Sequence, residues 1–357
     1  MPDKVELYVN DMRIEDFESY NIAKSLFNAD GIFTLELSDP EADIKAGSYC
    51  ELYVDGERAF TGIVDIVNPF YRKGERKLIL SGRDLMGIVV DSYCEEFITI
   101  EGMKLKALAE RLLKNISFPF FDLKAIQYQD DIIGGLRKKR KSKGDIGSMD
   151  SAQKFSQIEP GMTVFEVLKE YAASRGMLFW CEDNGVLVFG RPKATGEPAY
   201  TLINRKGDGR ENNILEGEME ENICKRYSKI TVMGQQQGTD DTPASGVNIQ
   251  AVRALKVPDE FPFYKPFVAV NNNDSLSPAM QARLIEEKQK AEGFSLRYKV
   301  AGHGQGNNLW KVNELCRVKD DIFKLDGTYL IYSCTFQLSK EEGMTSELRL
   351  GYPGMIQ

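Results

Sequence analysis

The sequence predicts a mainly β chain with an α+β module, built as two similar small antiparallel β-barrels plus an inserted helix-containing domain. Three observations predict it. Apolar residues alternate with polar ones near both ends of the chain, and the apolar period becomes that of a helix in two places between them. A strand, turn, strand, turn, strand run near the N-terminus also has a counterpart near the C-terminus.

The N-terminal strands are Val5–Val9, Phe33–Leu37, Cys50–Val54 and Lys77–Leu80, each with apolar side chains at every second residue. Asp30-Gly31, Asp55-Gly56 and Lys73-Gly74 supply the reversals, the middle pair suiting a two-residue hairpin loop. Further on, Leu105, Leu108, Ala109, Leu112 and Ile116 form one stripe of a helix. Thr163 with Glu166 three residues later is a capping box opening a second helix, which runs through Val164, Val167, Leu168 and Tyr171 to Gly176. Met177–Cys181 and Val186–Phe189, joined through Asp183-Asn184-Gly185, read as a buried hairpin.

The stretch from Gly234 to Pro278 has little periodicity and several prolines, and reads as an extended arm or loop. A polar helix follows, with Ser277 as cap, Pro278 in its first turn and Gly293 beyond its end. Ser295–Val300 and Leu330–Leu338 then alternate as strands. The expected domains are a first barrel at 1–94, an α+β module at 95–192, a stretch of β segments, arm and polar helix at 193–294, and a second barrel at 295–357 that draws on strands from 200–236. The repeated run compares the strands beginning at Cys50 and Cys316, then those around Phe60 and Tyr329, then Arg76–Gly82 and Glu347–Gly351. A true duplication would give a ring of three subunits six similar surfaces, the means by which a trimer can meet a six-fold partner.

Composition narrows function. With 357 residues, 46 Lys plus Arg against 54 Asp plus Glu and a net charge of -8, the chain has no general attraction for nucleic acid or anionic membrane. The start lacks a signal-peptide stretch and no apolar run is long enough to span a membrane, so synthesis and folding are expected in the cytoplasm. The six cysteines are scattered and read as reduced core residues. One histidine, His303, cannot build a His-rich metal site, and in its setting of Gly302, Gly304 and Gly306 it reads as an exposed loop residue. No metal, cofactor or catalytic residue is expected.

The acidic pairs Glu95-Glu96, Asp130-Asp131, Asp240-Asp241 and Asp320-Asp321 sit at turn-like or strand-end positions, where solvated carboxylates are ordinary. Trp180 reads as core and Trp310 as partly exposed. The only block of like charge is Arg137, Lys138, Lys139, Arg140, Lys141 and Lys143. It is either a solvated loop or a contact to phosphates or an acidic partner.

Glu220–Gln236, Tyr298–Gly302, Asn308–Leu315 and Gly343–Leu350, in that order, resemble the Mu-like tail protein family, the baseplate hub proteins of contractile phage tails. Thr61-Gly62 and Ser81–Asp84 are similar to the N-terminal domain of that family. The basic block and the acidic, proline-containing arm after Gly238 depart from its pattern. The resemblance implies a structural, non-enzymatic homotrimer in the virion's tail baseplate, joining the six-fold tail tube protein to the trimeric central spike protein. Its ring would surround the channel of the tape-measure protein and of DNA in transit, without stable membrane association, and the basic block is a candidate channel or partner contact. The rival readings are a peptidoglycan hydrolase on a β scaffold, suggested by the acidic pairs and two tryptophans, and a nucleic-acid binder using the basic block.

Overall fold

A computed structural model of the chain describes residues 4–10, 12–38, 43–100, 103–114, 116, 126–128, 157–173, 176–207, 209–234, 250–271 and 278–355. Seven strands come first: β1 (Val5–Val9), β2 (Met12–Ile14), β3 (Phe17–Ser25), β4 (Ile32–Ser38), β5 (Tyr49–Val54), β6 (Glu57–Arg72) and β7 (Glu75–Asp84). The module that follows holds α1 (Met86–Asp91), α2 (Leu105–Leu113), β8 (Ile126–Tyr128), α3 (Val164–Ala173), β9 (Leu178–Cys181) and β10 (Leu187–Gly190). Then come β11 (Tyr200–Asn204), β12 (Glu216–Glu221), β13 (Lys229–Gly234), β14 (Gln250–Ala254), β15 (Pro266–Asn271) and α4 (Pro278–Glu292). Last are β16 (Phe294–Ala301), β17 (Gly304–Gln305), β18 (Asn308–Leu309), β19 (Glu314–Asp320), β20 (Leu325–Ser339) and β21 (Gly343–Gly351).

The expected mainly-β class holds, and local chemistry explains the elements. Asp55 and Gly56 take φ of 50° and 78°, the left-handed pair that a two-residue hairpin loop between β5 and β6 requires. At α3 the capping box is present in full: the Glu166 amide donates to Thr163 Oγ1 at 3.2 Å and the Thr163 amide to Glu166 Oε2 at 2.8 Å. Gly176, at φ 66°, ends that helix as expected.

The two β units are there, joined in one sheet. Its order is β12-β16-β21-β20-β3-β4-β7-β6-β5-β1-β2, with β19 and β11 branching from β20. The first half therefore runs β1-β5-β6-β7-β4-β3 and the second β11-β19-β20-β21-β16-β12, six strands in matching order. Every neighbouring pair in both is antiparallel except β11 with β19, which is parallel.

The register repeats as well as the order. Cys50 lies opposite Gly62 and Cys316 opposite Tyr329. Three residues beyond each partner the long strand bulges, at Asp65 between Val64 and Ile66 and at Tyr332 between Ile331 and Ser333. Past the bulges Val67 pairs with Leu80 and Leu80 with Leu35, just as Cys334 pairs with Leu348 and Leu348 with Tyr298. One cluster of buried side chains, from Val5 and Leu35 to Tyr298 and Leu350, spans both halves.

A second core unites the module, with Leu108, Leu112, Val167 and Leu168 against Phe179 and Phe189, whose rings stack at 4.2 Å. The segment expected as an extended arm is different in part: it contributes β14 and β15, which flank β13 in a sheet backed by α4. Those strands escape a periodicity search because each is an edge, with Val252, Val268 and Val270 exposed on the face away from α4. Cys224 is exposed while the other five cysteines are buried.

Candidate functional site

The two halves meet along β3 and β20. Six residue pairs, from Ser333 with Ser25 to Leu338 with Tyr20, form an antiparallel ladder there. The Leu26 amide extends it by donating to the Tyr332 carbonyl at 2.9 Å, and Ser333 Oγ donates to the Lys24 carbonyl at 3.1 Å.

His303 is the centre of this junction and is fully buried, not the exposed loop residue expected. Its glycine neighbours do make a turn, with Gly302 and Gly306 at φ 70° and 65°, but that turn folds the ring inward. Tyr20 Oη lies 2.6 Å from Nε2 and Ser346 Oγ 3.1 Å from Nδ1. Because Ser346 Oγ donates to the Gly302 carbonyl at 2.7 Å, it accepts from Nδ1–H, which leaves Nε2 to accept from the Tyr20 hydroxyl. Burial pulls the imidazole down to about 4, so it is neutral at physiological pH. A strand of the first half is thus fixed to two segments of the second by a satisfied polar chain.

A second buried cluster docks the module onto the first half. Lys24, from β3, ion-pairs with Asp183 of the β9–β10 turn and lies over the Phe60 ring at 5.4 Å. Thr61 Oγ1 donates to the Asp183 carbonyl at 2.7 Å. Nearby, Asp84 accepts the amides of Gly31 at 2.8 Å and Met86 at 3.0 Å, and burial raises its carboxyl to about 7. Sequence reading placed Asp183 in a turn and Asp84 in the Ser81–Asp84 segment without finding either role.

Among the described residues, members of the acidic pairs have structural partners. Asp320 is buried, unlike the solvated carboxylate expected, and accepts the Tyr298 hydroxyl at 3.1 Å and the amides of Ile322 and Phe323 at 2.8 and 3.0 Å. Glu96 pairs with Arg111 at 2.6 Å. Asp130, Asp131, Asp240 and Asp241 lie outside the described residues, as do Arg137, Lys138, Lys139, Arg140, Lys141 and Lys143. Trp180 is core as expected, and Trp310 is buried too, against Tyr200 at 4.7 Å. A concavity of about 790 Å³ on the outer side of β1 and β5 is lined by Tyr8, Tyr49, Glu51 and Tyr53. Its polar groups are engaged with one another, the Tyr49 and Tyr53 hydroxyls both donating to Glu51. Among the described residues no group of His, Cys, Asp and Glu is arranged to hold a metal ion, and no helix is long and apolar enough to cross a membrane.

What the sheet does offer is backbone edges. Among the described residues, the side of β12 away from β16 and the side of β6 residues 66–71 away from β7 carry no ladder partner. Ile66, Phe70 and Tyr71 are exposed on that stretch, Tyr71 to 84%. The matching stretch of β20, covered by β3, has Cys334 and Phe336 buried.

Known proteins resemble both halves. Residues 4–84 match the N-terminal domain of the Mu phage baseplate assembly protein GpP-like family, and residues 288–355 match a tail protein C-terminal domain. The baseplate hub protein gp44 of Escherichia phage Mu is 21% identical over 98% of this chain and 88% of its own. A tail protein from Neisseria meningitidis MC58 superposes with a TM-score of 0.81 at 26% identity, covering 99% of this chain and 98% of that one. The 43 kDa tail protein of prophage MuSo2 from Shewanella oneidensis gives 0.77 at 23% identity over 99% and 100%. These likenesses bear out the resemblance read from the sequence and support a place in the phage tail baseplate.

Proposed function

We propose that this chain, matched at its two ends by baseplate and tail protein domains, is the structural hub of a contractile tail's baseplate or of a related contractile injection particle. Three copies form a ring around the channel of the tape-measure protein and of DNA in transit. The ring joins the six-fold tail tube to a trimeric central spike.

The observation that carries this reading is the repeated strand order and register of the two halves. Three copies of a two-half subunit present six similar β units, so one face can meet a six-fold partner while the whole keeps three-fold symmetry. The basic residues from Arg137 to Lys143 are assigned to a channel or partner contact in the same ring.

Light scattering and electron microscopy test it. The expected result is a species of three times the 40.3 kDa subunit mass with a central hole. A solitary subunit that releases muropeptides from peptidoglycan would replace the hub reading with a cell-wall hydrolase.

A further inference from the structure

Resting on the trimer reading, we infer that the ring closes by strand addition: the free edge of β12 in one copy pairs antiparallel with residues 66–71 of β6 in the next copy.

The template lies inside the chain, where β3 covers β20. The bond from the Leu26 amide to the Tyr332 carbonyl sets the alternation, so Cys334, Phe336 and Leu338 turn their backbone groups toward β3. Counting from the matching bulges, Val67, Pro69 and Tyr71 hold the same positions on β6, with no strand on their side away from β7 among the described residues. Strand β12 corresponds to β3: Tyr20 faces Leu35 on β4 as Gly217 faces Tyr298 on β16.

The outward groups of β12 can be counted independently. Its neighbour Asn222 donates its amide to the Gly293 carbonyl, so Glu220 and Glu218 face β16 and Gly217, Met219 and Glu221 face outward. Transferring the internal register brings Val67 opposite Glu221, Pro69 opposite Met219 and Tyr71 opposite Gly217. Both strands then present their unpaired groups at the same places, whereas a one-residue slip would set them out of step.

Side chains agree with the backbone. β12 carries Glu216, Glu218, Glu220 and Glu221, and the end of the β6–β7 hairpin carries Arg72, Lys73, Arg76 and Lys77 around Glu75, which pairs with Arg72 and Lys77. In this register Arg72 falls opposite Glu216, a favourable cross-strand pair. Pro69 supplies no N–H, which removes one bond from the ladder and also discourages pairing with foreign strands.

Cross-strand cysteines test the register. In a Cys224→Ser background, Asn68→Cys with Glu220→Cys places two thiols at a position between hydrogen-bonded pairs, where opposite residues come closest. Asn68→Cys with Glu218→Cys is the shifted control. Oxidation of the first pair should give covalent dimers and trimers on non-reducing gels at about ten times the control yield, with the light-scattering mass unchanged at three subunits. A trimer that fails to cross-link, or cross-links better through the shifted pair, overturns this strand pairing and leaves the trimer standing. A single-subunit mass overturns both.

Discussion

Replacing His303 with Gln should remove a pH dependence that originates where the two halves meet. Burial lowers the imidazole from its ordinary 6.5 to about 4. Between those values the unfolded chain binds a proton that the folded chain refuses, so this residue makes stability fall as pH falls. At pH 7.5 the contribution is close to zero, and at pH 5.0 it is a loss of about 2 kcal/mol, from about 1.4 kcal/mol for each pH unit of unequal protonation. Asp84 acts with opposite sign in the same window. Its carboxyl is raised to about 7, so the folded state takes the proton first and stability declines as pH rises from about 4 to 7.

The wild-type curve alone therefore mixes two opposed effects, and the difference from the His303→Gln variant isolates one. Urea unfolding at a fixed protein concentration, at pH 7.5 and 5.0, is the assay. At pH 7.5 the variant should be about 1–2 kcal/mol less stable, having lost a hydrogen bond to Tyr20 or Ser346. At pH 5.0 that gap should shrink by about 2 kcal/mol, to near zero or below. A gap that stays constant within about 0.5 kcal/mol would refute the claim that the buried imidazole is held neutral.

Three more outcomes are expected. Gly62→Ala would set a Cβ 2.0 Å from the Arg83 carbonyl oxygen, so the variant should lose more than about 3 kcal/mol or fail to give soluble protein, as seen by expression and thermal melting. Thr163→Ala breaks the α3 capping box and should cost about 1 kcal/mol in urea unfolding, while Thr163→Ser should retain most of it. Lys24→Met leaves Asp183 without its cation beside the buried Asp84 and should cost about 3 kcal/mol or more; adding Asp183→Asn should recover part of that loss, and equal stabilities would show the pair to be uncoupled.

The elements legible in the sequence were those whose signal is local. The Asp55-Gly56 loop, the Thr163 cap and the stripe expected from Leu105 to Ile116 each declare themselves within a few residues; the first two are where they were expected, and the helix carries the stripe as far as Leu112, ending at Leu113 short of Ile116. Even the duplication was visible, as two strand, turn, strand, turn, strand runs that begin at Cys50 and Cys316. What the sequence hid depends on distant partners. His303 looks solvated among its glycines because Tyr20, 283 residues away, and Ser346 on another strand are what bury it. Asp320 looks like a turn carboxylate until Tyr298 closes over it. Strands β14 and β15 lack a clean alternation because apolar Val252, Val268 and Val270 also stand on the face turned away from α4.

The proposed ring also accounts for how equivalent strands have diverged. β3 meets β20 within one chain, as part of folding, so it can carry an apolar face with Tyr20 and Ile22. β12 would meet its partner only at assembly and must remain a free edge until then. An unpaired apolar edge invites aggregation, and charge or proline blunts it. β12 reads Glu-Gly-Glu-Met-Glu-Glu, and the opposite edge carries Pro69 where β20 has Phe336. In the proposed ring the two junctions would share one geometry, but one forms in every folded chain and the other would form only between chains. That difference in timing, more than any difference in architecture, explains why the halves keep the same strand order while their edge sequences do not match.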